Sequence, residues 1–172
     1  MKYVGYWSIL FVGLLVQTTG SSGLVIFGYK LEVLLLLTLL FAIIHGPYGG
    51  AILGFVGGLM QDLLVGHYIG LYASVLMFVC LGVGYLSKRL YKENFLVRFM
   101  AIFAGTAQAK ICFLVGKIAF GATVYFGRVT FMTILGSALL NAFVGLLIFR
   151  PLVLLDKRLI YWDELFKRTG VT

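Results

Sequence analysis

Acidic residues, proline, cysteine and histidine are all scarce in this chain. Six Asp and Glu stand against fourteen Lys and Arg in 172 residues, a formal net charge of +8, with two residues each of Pro, Cys and His. Cys80 and Cys112 lie inside apolar runs, where a thiol behaves as a small hydrophobe, and two such residues make neither a disulfide framework nor a zinc-type spacing. His45 stands beside a Gly-Pro pair with no second ligand for a metal. No nucleophile is paired with a base, and no Cys/His cluster is present, so neither a catalytic set, a metal nor a cofactor is expected. The excess of basic residues falls in short clusters between apolar runs and not along one face, which argues against a nucleic-acid partner.

Apolar side chains are what the chain has in quantity. Hydrophobic residues make up 62% of it, charged residues 12%, and the mean hydropathy is +1.06. A soluble fold of that composition would expose large apolar patches. The expected class is therefore an all-α integral membrane protein. Runs near the ~17 to 25 residues needed to cross a bilayer recur at Tyr3–Thr19, Leu31–His45, Gly49–Val65, Tyr68–Leu86, Phe95–Ile118 and Val129–Phe149. They predict a compact bundle of about six transmembrane helices over residues 1–150, the first of them uncleaved despite its likeness to a secretory signal. Gly46 and Pro47 separate the second run from the third, because proline cannot extend the preceding helix and glycine relieves the turn.

Basic residues resist translocation. Lys88, Arg89, Lys92 and Arg98 follow the fourth run, and Arg150, Lys157, Arg158, Lys167 and Arg168 follow the sixth, whereas the other side collects Lys30, Arg128 and Lys117. Both termini are thus expected in the cytoplasm. Residues 151–172 read as a cytoplasmic amphipathic tail, with Leu155, Leu159, Trp162 and Phe166 at helical spacing, lying on the membrane surface.

Small residues recur every fourth position in the third run and beyond it, at Gly50, Gly54, Gly58, Gly66 and Gly70, with Asp62 in the same register. Such a stripe lets another backbone approach closely, which is how helices hold together in lipid. It serves either the protein's own packing or a partner's helix. A carboxylate within an apolar helix needs a partner. By helical rise, Lys110 reaches nearly the same depth as Asp62, so the two are expected to face each other or to share a polar network with Gln61, Gln108 and Asn141.

The stretch LEVLLLLTLLFAIIHGPYGGAILGFVGGLMQDLLVGHYIGL, residues 31–71, resembles the bacterial rod-shape-determining MreD family. The pattern is a leucine-rich helix, a Gly-Pro turn, and a glycine-rich helix ending in Asp-Leu-Leu with spaced glycines after it. Leu31-Glu32 replaces the Pro-Asp of many members, and Val65 and Tyr68 replace a usual serine and proline. The resemblance implies a fold similar to the S components of energy-coupling-factor transporters. It also implies a non-enzymatic subunit of the machinery that builds the lateral peptidoglycan in the bacterial cytoplasmic membrane. The implied partners are MreC, bound through membrane helices, and an elongation complex of MreB, RodA and a class B penicillin-binding protein, together with membrane lipid.

The competing expectation is a small-molecule (vitamin) binding S-type subunit of a transporter. It requires an outward cavity, to which Tyr68, Tyr72, Lys117, Tyr125 and Arg128 are the available contributors, although the same residues suit an aromatic belt at the interface.

Overall fold

A computed structural model describes residues 2–19, 24–26, 28–65, 69–89, 94–121 and 127–168. Among these residues there are five helices and one two-stranded hairpin. Helix α1 spans Lys2–Thr19, strands β1 and β2 span Leu24–Ile26 and Tyr29–Leu31, and the helices α2, α3, α4 and α5 span Val33–Val65, Leu71–Arg89, Phe95–Ala119 and Arg128–Arg168. Four of them, α2 to α5, are long and apolar enough to cross a membrane, and α1 contributes a shorter apolar stretch, Val4–Thr18.

Helix α2 is two rods in one element. At Gly46 the backbone takes φ +81° and ψ −169°, outside the helical region, and Pro47 follows. An L side chain rarely adopts that φ, so glycine is required there. The arms on either side, residues 33–45 and 47–65, fold back on each other. A methyl group at Gly50 would come within 2.5 Å of the Ala42 Cα, and one at Gly57 within 3.0 Å of Thr38. In a straight helix those residues would be separated by two or more turns. The predicted Gly46-Pro47 hairpin is therefore present, and with it α1 to α5 form six rods.

The first arm is the centre of the molecule. From Leu34 to Ile43 no side chain is more than 8% exposed, as expected of a helix apolar all round. At 13 residues, or about 20 Å, it is short for a lipid-facing span and suits a core helix enclosed by others. The second arm lies on α3 through glycine contacts, and the Gly46-Pro47 turn sits against Gly84 of α3, where a methyl group would meet the Pro47 Cα at 2.5 Å. Helices α4 and α5 complete the bundle and leave most of their surfaces outward.

Two features stand outside the sequence reading. Between the first two apolar runs, β1 and β2 pair antiparallel with Leu24 opposite Leu31 and Ile26 opposite Tyr29, and the Tyr29 ring packs on Gly136 of α5. Strands of three residues leave too little periodicity to detect.

The other concerns the tail. Helix α5 continues through Pro151 to Arg168 and does not end near Phe149. Beyond Pro151 its packed face carries Leu152, Asp156 and Asp163, with Leu159 half-buried, while Leu155 and Trp162 point outward. The expected apolar stripe is thus rotated, because Leu159 rests on Gly5 of α1 and Asp156 receives a hydrogen bond from the same helix. The side chain of Phe166 lies outside the described residues.

Candidate functional site

Asp62 and Lys110 do not pair. The Asp62 carboxylate, 1% exposed, accepts hydrogen bonds from the backbone N–H groups of Gly70 at 2.9 Å, Tyr72 at 3.0 Å and Ala73 at 3.0 Å. These are donors that the start of α3 leaves without helical partners, and a negative charge there also complements the helix dipole. Asp62 is therefore a remote N-cap, tying the end of α2 to the beginning of α3. Lys110 instead donates to Glu32 at 2.7 Å, a partly exposed ion pair joining α4 to the residue after β2. Depth from helical rise placed Asp62 and Lys110 at one level but could not see that three backbone donors would claim the carboxylate.

Among the described residues, the other members of the expected network make no hydrogen bond to Asp62. Gln61 is half-buried and Gln108 is exposed. Asn141 is fully buried, and among the described residues its amide finds no hydrogen-bond partner. The hydroxyls of Thr106 and Ser137 are in the same condition. Helices α4 and α5 run antiparallel, with Ile102 beside Gly145 and Phe113 and Leu114 beside Thr133 and Ile134. Thr106 and Asn141 fall between those levels, at the same height, and Ser137 lies one turn nearer Lys110. Each such group costs roughly 1–3 kcal/mol when unpaired in an apolar interior, so the α4–α5 interface contains a polar seam.

The glycine stripe divides by position. Gly50 faces Ala42 within the α2 hairpin. Gly54 faces the carbonyl of Leu76, which a methyl group would meet at 2.8 Å, and Gly58 faces Ala73 Cα at 2.5 Å. All three are occupied by this chain's own backbone, so a partner's helix cannot take the same positions. Gly70 has φ +97° and open space around it; it serves the turn into α3 and packs no helix. Gly66, Tyr68 and Tyr125 lie outside the described residues.

A second polar group joins α1, α2 and α5 beside the Gly46-Pro47 turn, at the end of the bundle opposite the β1–β2 hairpin. The Tyr6 hydroxyl donates to Asp156 Oδ1 at 2.6 Å, and His45 Nε2 lies 3.0 Å from the Tyr6 oxygen and 3.2 Å from Asp156 Oδ1. His45 is therefore a link in a three-helix polar cluster. Sequence reasoning missed Tyr6 and Asp156, whose 150-residue separation gives no local signal. Nearby, the Arg98 guanidinium lies 4.6 Å from the centre of the Phe149 ring, fixing the start of α4 against α5.

At the end that carries the β1–β2 hairpin, a cavity of about 350 Å³ opens between α4, α5 and Glu32. Tyr72, Lys110, Phe113, Lys117 and Thr130 line it. Of the residues expected to build an outward cavity, Tyr72 and Lys117 do so, whereas Arg128 lines an adjoining groove.

The family model described as rod shape-determining protein MreD matches residues 1–158. No curated protein and no solved structure matches the chain.

Proposed function

The chain belongs to the MreD family, a membrane component of the rod-shape machinery, and from that premise we propose that it is a non-enzymatic scaffold subunit that binds MreC through membrane helices. The single observation that carries this reading is the extent of the family match, 158 of 172 residues, which runs from α1 well into α5. The distribution of surface supports it. Only 28% of the most apolar window of α5 and 33% of that of α4 is buried, against 72% for α2. Helix α2 is thus consumed in holding the fold, and α4 and α5 are left to meet lipid or other helices. On this reading the six rods each cross the cytoplasmic membrane, as in the S components of energy-coupling-factor transporters. Both termini are cytoplasmic, and the cationic end of the bundle meets anionic lipid and the other elongation proteins, MreB, RodA and a class B penicillin-binding protein.

Co-expression with the MreC of the same cell, followed by capture in mild detergent, tests the interface. MreC is expected to be retained through washing, and depletion of the chain is expected to round the cells and reduce insertion of lateral wall. Capture of no MreC, with rod shape unchanged after depletion, would overturn the proposal.

A further inference from the structure

We propose that the hairpin end of the α4–α5 interface is a binding site for an anionic amphiphile, a phosphate- or carboxylate-headed lipid held between Lys117 and Arg128. Four observations converge on it. The cavity bounded by Glu32, Tyr72 and Lys117 has a volume of about 350 Å³, within the range of small-ligand sites. Its two lysines share one glutamate, and that glutamate is already paired with Lys110 at 2.7 Å, so among the described residues the positive charge of Lys117 has no acidic partner in the cavity. Thr130 and Ile134 form a shared wall with a second groove of about 620 Å³, where Arg128 stands at the rim above the apolar surface of Ile111, Val115 and Phe131. Finally, Ser137 follows the lining residue Thr133 by about one helical turn, and its hydroxyl, like the Asn141 amide and the Thr106 hydroxyl, is buried with no hydrogen-bond partner among the described residues.

A cationic rim beside an apolar groove fits a ligand with one charged end and one hydrocarbon end. The head would sit at Lys117 and Arg128, and the acyl chain would lie along Ile111 and Phe131. Glu32 holds Lys110 in place and at the same time disfavours a second anion deeper in the cavity. A zwitterionic headgroup would bring its own cation against Lys117 and lose the advantage.

The test uses the full-length chain, purified in detergent and titrated with phosphatidylglycerol, phosphatidylcholine or glycerol phosphate, with bound adducts counted by native mass spectrometry. Phosphatidylglycerol is expected to be retained over phosphatidylcholine. Lys117→Gln and Arg128→Gln are each expected to weaken it about fivefold, the effect of one basic residue at an anionic lipid surface. Glu32→Gln, which removes the competing negative charge, is expected to tighten it. Lys30→Gln, an exposed cation at the same end, serves as the control and is expected to leave binding unchanged. Equal binding of the two lipids, retention by the Lys117→Gln/Arg128→Gln double variant, or an equal loss in Lys30→Gln would overturn the site. Saturable binding of glycerol phosphate without any lipid adduct would overturn the amphiphile in favour of a soluble phosphate monoester.

Discussion

Removing the Asp62 carboxylate should expose how α3 is held. Its oxygens satisfy three backbone donors, those of Gly70, Tyr72 and Ala73, at 2.9 to 3.0 Å. Hydrogen bonds to a charged group contribute roughly 1.5–3 kcal/mol each, and a buried donor left without a partner costs about 1–3 kcal/mol. Asp62→Ala strands all three, so a loss of about 4–6 kcal/mol is expected after partial relaxation. Asp62→Asn keeps one acceptor oxygen, loses the charge, and turns an amide N–H₂ toward at least one N–H, for about 2–3 kcal/mol. At roughly 2–4 °C per kcal/mol for a chain of this size, the Asn variant should lower the apparent Tm in detergent by about 5–10 °C. Hydrogen exchange should locate the change, with protection lost at the Tyr72 and Ala73 amides before the centre of α3. A double-mutant cycle provides the sharper test. Because Asp62 and Lys110 share no hydrogen bond, Asp62→Asn and Lys110→Met should combine within about 0.5 kcal/mol of additivity. A coupling well above that, or an Asp62→Ala protein as stable as the parent, would refute the capping argument.

Three other outcomes follow from the contacts. Glu32→Gln and Lys110→Met should be non-additive by about 0.5–1.5 kcal/mol in the same thermal assay, since each removes one half of the 2.7 Å pair. Gly58→Leu and Gly54→Val should abolish recovery of a monodisperse protein, because their side chains would enter the backbone of α3 at Ala73 and Leu76, whereas Gly82→Ala, with nothing within 4 Å, should be neutral within about 0.5 kcal/mol. Tyr6→Phe should cost about 1–2 kcal/mol by taking the donor from Asp156, and limited proteolysis should then cut residues 152–168 faster than in the parent.

The all-helical membrane class could be read directly from the chain. Long apolar runs need no tertiary information, since lipid requires every backbone polar group to be satisfied within its own segment. Gly46-Pro47 could be read as a turn for the same local reason, because the two residues jointly exclude a continuous helix. The glycine spacing likewise announced a close backbone approach, and only the folded chain decided that α3 and the other arm of α2 supply the backbones. What local pattern could not determine was the partner of each buried polar group. Asp62 serves donors eight to eleven residues downstream, Lys110 reaches back 78 residues to Glu32, and Asp156 meets Tyr6 across 150. The tail's packed face was decided in the same way, since a hydrogen bond and a glycine on α1 outweighed the hydrophobic stripe that residues 151–172 present on their own. Apolar burial in such a protein is dictated by composition and period, whereas polar pairing depends on which few atoms the completed bundle brings within 3 Å of each other.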